Sequence, residues 1–211
     1  MTLMLRRIAL GFAVCLWIVV VCAGVGFLWS YGHAAGAPAT PPQYWPSKTA
    51  IPRVNGHHTL VMLAHPKCPC SRASVEELSK LMTNCAGRLD AYVLFVTPKS
   101  APTDWYQTDL WSSAARIPGV KTMLDQDGKE AARFGALTSG QVVLYDPNGK
   151  RVFSGGITES RGHVGDNKGR RAIESLVNAG TANTDNTLVF GCPLFNPGSE
   201  CAAPSHDETK K

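Results

Sequence analysis

His65-Pro66-Lys67-Cys68-Pro69-Cys70-Ser71 follows an apolar run from Thr59 to Ala64 and precedes a stretch in which Val75, Leu78, Leu81 and Met82 form one apolar stripe. A strand therefore gives way to a helix across two thiols and a proline. Helix starts leave backbone N–H groups unsatisfied and carry the positive end of the macrodipole, so a cysteine placed there is stabilised as thiolate. Pro69 suits the junction, because proline cannot continue a strand and is tolerated around a first helical turn. Lys67 and Arg72 add positive charge on either side. Cys68 is the expected nucleophile and Cys70 its nearest resolving partner; a surface disulfide or two small packing residues is the bland reading of the same pair. His65 is placed to tune the thiol or ligate a metal, and equally to be a satisfied turn histidine.

The elements around this junction alternate. Strands are expected over His58–Ala64 and Leu89–Thr97, helices over 71–83 and from Asp104 to Ala115, an extended segment over Val120–Leu124 and a short helix over 129–134 stopped by Gly135. Two further strands, Gln141–Tyr145 and 151–154, flank Asp146-Pro147-Asn148-Gly149, a hairpin turn sequence, and a last helix runs over 166–178. Strands joined through helices imply parallel pairs, and the hairpin adds an antiparallel edge, so the class is α/β with a mixed sheet flanked by helices.

Arg6 and Arg7 precede an uncharged run of 22 residues, Ile8 to Trp29. As a helix it would rise about 33 Å, enough to cross a bilayer core. A cleaved signal peptide is the competing reading, with Ala35 and Ala37 as a cleavage site; the run is longer than a typical signal core, and Trp17 and Trp29 suit an interfacial anchor. Arginines held inside put the rest of the chain on the outer side of a bacterial cytoplasmic membrane. The expected organisation is a cytoplasmic N-terminus over 1–7, an anchor over 8–29, a flexible Ala-, Gly- and Pro-rich stalk over 30–53, a domain over 54–180 and a tail over 181–211. Of seven cysteines, five lie beyond the anchor, an odd number in an oxidising compartment. The net charge of +5 is spread out, without the interleaved basic and aromatic residues of a nucleic-acid surface, and no nucleic-acid partner is expected.

The element order, with a cysteine pair at the first strand-to-helix turn, resembles the thioredoxin-like superfamily over roughly residues 52–179. The segments 125–135 and 141–150 are similar to its membrane-tethered TlpA-like and peroxiredoxin-like branch. The block His65 to Ser74, with Gly155-Gly156-Ile157-Thr158 and Ser160-Arg161-Gly162-His163, resembles bacterial RedB-type proteins. The resemblance implies a thioredoxin-like fold and thiol-disulfide exchange with a protein partner or an upstream membrane reductant. Two departures bear on it. Relatives separate their cysteines by two residues, and here only Pro69 intervenes, so that Ser71 falls on the second cysteine's position if Cys68 matches the first. Relatives also place a cis-proline before the strand at Gln141, where it shapes a groove for a substrate backbone and keeps metal from the thiols; this chain has Thr138-Ser139-Gly140.

Other candidates follow the hairpin. Arg161 is suited to hold an anion or stabilise a thiolate, and His163 to move a proton, unless their loop is merely structural with Asp166 capping the last helix. Cys192 lies in an apolar island of the tail, Val189 to Phe195, which is expected to dock on the domain. It is either a second resolving thiol or ligand, or the disulfide partner of Cys201. Cys85 reads as a packed core residue. Two functions are carried forward: a thiol-disulfide oxidoreductase using Cys68 and Cys70 without a cofactor, and a non-enzymatic copper module holding the ion on Cys68 and Cys70, with His65 and Cys192 as candidate further ligands. The supporting set is Lys67, Pro69, Arg72, Ser139, Gly140, Arg161 and His163.

Overall fold

The computed structural model describes residues 2–54, 56–102 and 104–195. The chain divides into two units, Met1–Ala34 and Ala35–Lys211. The first is helix α1, Thr2–His33, in which Met4–His33 is long and apolar enough to cross a membrane. It extends beyond the expected 8–29 at both ends, because nothing in the flanking residues breaks helix before Ala34.

The second unit is built on a five-stranded sheet. Its elements are β1 His58–Ala64, α2 Ser71–Asn84, β2 Leu89–Thr97, α3 Asp109–Ala115, β3 Val120–Gln126, α4 Lys129–Arg133, β4 Gln141–Tyr145, β5 Arg151–Gly155 and α5 Lys168–Ala179. The strand order is β3-β2-β1-β4-β5. β1 pairs parallel with β2 and β2 with β3, while β4 runs antiparallel to both β1 and β5. Alternation along the central strands feeds two cores. Leu60, Met62, Val93, Phe95, Val142 and Leu144 face α2, α3 and α5. Val61, Leu63, Tyr92, Leu94, Val143 and Tyr145 meet Phe134 and Ile51 on the other side.

This register positions the site. Because β1 and β4 are antiparallel, the residues after β1 and those before β4 fall at the same end of the sheet, with Leu63 opposite Gln141. The thiol turn and Thr138-Ser139-Gly140 are neighbours by topology.

Three expectations about elements need correction. Residues 30–53 are not a free stalk. Ser30 to His33 continue α1, and residues 36–53 lie along the domain: Thr40 N–H donates to Gly135, Trp45 N–H to Gly149, Arg151 N–H to Gln43, and Trp45 packs edge-on against Phe134 and Tyr145. What read as a flexible linker is instead fastened over an apolar sheet face by these hydrogen bonds and by Trp45 and Ile51. The second domain helix starts at Asp109 rather than near Asp104, since Thr108 takes the extended cap geometry and accepts from Trp111 N–H, leaving Asp104 to Gln107 as a turn. The last helix is capped by Asn167, which accepts from Arg170 N–H, and Asp166 pairs with Arg171 instead.

Candidate active site

β1 ends at Ala64, and the chain then turns twice before α2. Cys68 N–H donates to the His65 carbonyl, Ser71 N–H to that of Cys68, and Arg72 N–H to that of Pro69. Cys70 is the α2 cap residue, already in helical geometry, and Cys68 precedes it, almost fully buried. Opposite, Ser139 Oγ accepts from His65 N–H at 2.8 Å and lies 2.7 Å from Ser71 Oγ, while Gly140 N–H donates to Leu63 at 2.8 Å. Two buried serines thus fasten the turn to the strand entry.

The tail supplies the third wall. Ser139 N–H donates to the Cys192 carbonyl at 2.8 Å, which brings Cys192 to the turn. The sulfurs of Cys68, Cys70 and Cys192 all lie within 4.8 Å of one another. They are electrostatically unequal. Burial alone would raise the Cys68 thiol, but hydrogen bonds to its sulfur from the Ser71 hydroxyl, the Cys192 backbone, the Cys192 thiol and the Ser71 backbone outweigh it and bring it down to about 7. Cys70 is raised, first by burial and then by the negative Cys68 sulfur, against a hydrogen bond from Arg161. Cys192 is pushed up to about 12 by burial, by its hydrogen bond to Cys68 and by the charge of the other two sulfurs. Of the three sulfurs, Cys68 is therefore the one most readily ionised.

Neither a family model nor any curated protein sequence matches the chain. Solved structures do resemble it. A hypothetical protein from Sinorhizobium meliloti 1021 superposes with a TM-score of 0.56 at 19% identity, covering 76% of this chain and 93% of its own. An uncharacterized conserved protein from Geobacillus kaustophilus gives 0.56 at 17% identity, covering 79% and 94%. A secreted Mycobacterium tuberculosis disulfide oxidoreductase homologous to E. coli DsbE gives 0.37 at 18% identity over 46% of this chain and 67% of its own. At these identities the likeness is one of fold, and the strand order decides which: β1 central, parallel to β2 and antiparallel to β4, with the cysteine turn at its end. The fold is thioredoxin-like.

Within this thioredoxin-like domain the expected supporting residues separate into two groups. Ser139, Gly140 and Arg161 are brought to the cysteines, Arg161 also donating to the Gly191 carbonyl at 2.7 Å. Lys67, Arg72, His65 and His163 are not. Lys67 Nζ sits 3.4 Å over the Trp105 ring, and exposed Arg72 pairs with Asp109, so neither cation is among the groups that lower Cys68. His65 accepts from Lys67 N–H through Nδ1, has its ring edge-on to Trp105, and is absent from the three-sulfur cluster. Burial, then the Lys67 charge, lowers its pKa. His163 is exposed. Gly140 has φ +91° and every peptide bond among the described residues is trans, so the position expected to mirror a cis-proline has its own left-handed geometry. Cys85 is buried in the main core, its thiol raised to about 11 by burial and then by Glu174. Cys201 lies outside the described residues.

Sequence reasoning left three contributors out. Ser71, treated only as a stand-in for a second cysteine, is a donor to Cys68. Gly191 permits the tail's approach: a Cβ there would overlap the Ser139 carbonyl oxygen. Glu77, fully buried on α2, accepts from Lys80, Gly165 N–H, Asn167 and Arg170, and so fixes the loop that carries Arg161. A carboxylate among apolar stripe residues was the available signal. A hollow of about 1310 Å³ along β5 is lined by none of the three cysteines, and the chemistry is concentrated at a sheet end rather than in a cavity.

Proposed function

We propose that the chain is a membrane-tethered, extracytoplasmic thiol-disulfide oxidoreductase with Cys68 as nucleophile, belonging to the RedB-type bacterial branch that its 65–74 block resembles. The observation that carries this reading is the three-sulfur cluster at the start of α2, in which the Cys68 sulfur lies within 4.8 Å of those of Cys70 and Cys192 and hydrogen bonds from Ser71 and Cys192 favour its thiolate. Thiolate Cys68 attacks a sulfur of a partner protein's disulfide; a bond forms between them, the partner's S–S bond breaks, and one partner thiolate leaves. A neighbouring thiol then loses its proton and attacks Cys68, releasing the partner's second thiolate. Two electrons pass to the partner and an internal disulfide remains, which an upstream membrane reductant reopens. The same steps in reverse oxidise a dithiol. With Arg6 and Arg7 on the cytoplasmic side and α1 across the membrane, the domain would lie on the outer side, a reading supported by the length and apolarity of α1. With the full chain in detergent, insulin disulfide reduction by dithiothreitol should be accelerated by the wild type and not by Cys68→Ser; equal rates would remove the reading.

The three-sulfur cluster also favours a second reading, delivery of copper. Three thiolates suit a soft monovalent ion, and Arg161 with the α2 N-terminus offsets the excess negative charge such a site carries. Cys68, Cys70 and Cys192 would hold the ion, without His65. The reduced chain should then retain one equivalent of Cu(I) against bicinchoninate, and each single Cys→Ser variant should lose it; retention by all three variants would reject the site.

A further inference from the structure

The tail meets the thiol turn through an isolated antiparallel bridge. Ser139 N–H donates to the Cys192 carbonyl at 2.8 Å, Leu194 N–H donates to the Leu137 carbonyl at 2.9 Å, and Thr138 bridges Pro193 antiparallel. Residues 137–139 are the stretch that enters β4 beside Cys68, so the backbone edge facing the nucleophile is already paired by the chain itself. Leu194 is completely buried in the second core, and Gly36 N–H donates to Val189. The pairing puts Cys192 against Cys68 as a docked partner's cysteine would be put by strand addition.

Cys70 is less free to close a bond. Only Pro69 separates it from Cys68, and the hydrogen bonds of Ser71 and Arg72 back to Cys68 and Pro69 tie both residues into the turn. A disulfide needs a dihedral near 90° at its S–S bond, which so short a tethered loop resists. Its sulfur is also engaged by Arg161. Resting on the exchange reading above, we propose that Cys192, carried on the docked Val189–Leu194 segment, is the resolving thiol, and that this segment lifts to admit the partner and returns to expel it.

Cys68 is 3% exposed, so a protein disulfide reaches it only when the segment is displaced. In the resulting mixed disulfide Cys68 carries no charge and accepts no proton. Cys192 gives its proton to solvent and attacks Cys68 Sγ; the Cys68–partner bond breaks as the Cys68–Cys192 bond forms, and the partner leaves as thiolate.

The test uses the reduced full chain in detergent and a short peptide disulfide carrying a fluorophore, with cysteine bonds mapped by mass spectrometry. Trypsin isolates Cys68 with Cys70 in one peptide, and cleavage after Glu200 parts Cys192 from Cys201. The expected product is a crosslink between the Cys68 and Cys192 peptides. Cys192→Ser and Cys192→Ala should accumulate fluorescent mixed disulfide on Cys68, released at least about tenfold more slowly than in the wild type. A bond within the Cys68–Cys70 peptide, with normal release by both Cys192 variants, overturns the assignment and leaves the exchange reading standing. Absence of any label on Cys68 overturns the exchange reading itself.

Discussion

At the scale of single residues, the chemistry rests on which donors reach the Cys68 sulfur. Alkylation of the reduced chain by iodoacetamide, followed for each cysteine by mass spectrometry, should give Cys68 a midpoint at about pH 7, below the ~8.5 of an ordinary thiol. The absolute rate will be small because the sulfur is buried, and a midpoint at the ordinary value would remove Cys68 as nucleophile. Ser71→Ala withdraws a donor worth about 1.5 kcal/mol or more, so the midpoint should rise by roughly one unit. The position of Cys68 was legible, since strand, proline and helix start are local signals. Its electrostatics were not. Lys67 and Arg72 are close in sequence but turn to Trp105 and Asp109, whereas the effective donors include Cys192, which is remote in sequence. Charge near a cysteine in sequence says little about charge at its sulfur, because side-chain direction is set by what each group packs against.

Among elements, α2, the 160–167 loop and the docked tail segment form one assembly. Glu77 is its buckle. Burial alone would raise its carboxyl, yet hydrogen bonds from Lys80, Gly165 N–H and Arg170 hold it below the ordinary carboxylate value. A depressed folded pKa means that the contribution is complete above the unfolded value of about 4.3 and is lost as pH falls through the lower folded one. Glu77→Ala should lower stability by about 3 kcal/mol at neutral pH, and its stability difference from wild type should shrink in acid below pH ~4; a constant difference would reject the ionised assignment. Gly191→Ala forces the tail segment away from the Ser139 carbonyl. Its signature is two-sided: alkylation of Cys68 becomes faster at saturating pH, because the cover is loosened, while the midpoint moves up, because the Cys192 donors withdraw. An unchanged profile would mean that the segment does not shield the thiol. The strands and helices were readable from periodicity, although the caps expected at Asp104 and Asp166 fall on Thr108 and Asn167, and the β1–β4 neighbourhood of Cys68 and Ser139 was implied by the thioredoxin-like resemblance. Docking of Val189–Leu194 was expected only in outline, since an apolar island reveals that it packs and not on which edge.

For the whole molecule, α1 is long and apolar enough to cross a membrane, and the folded unit carries the three-sulfur cluster. The full chain should fractionate with membranes, and a reporter that functions only after export, fused behind Lys211, should be active; a soluble product with a silent reporter would reject the anchor. The docked segment over 36–53 has a practical bearing on any shortened form of the protein. Its Ile51 is 3% exposed, a burial worth about 2 kcal/mol, and Trp45 covers Phe134 and Tyr145. Gly36 N–H holds Val189, and the Ala37 carbonyl accepts from Thr138. A soluble version trimmed at the apparent linker, starting near residue 54, would strip the clamp from both the apolar sheet face and the segment bearing Cys192. One starting at Ala35 would keep both, so the boundary chosen for purification itself decides whether the thiol under study is the shielded one or a bare one.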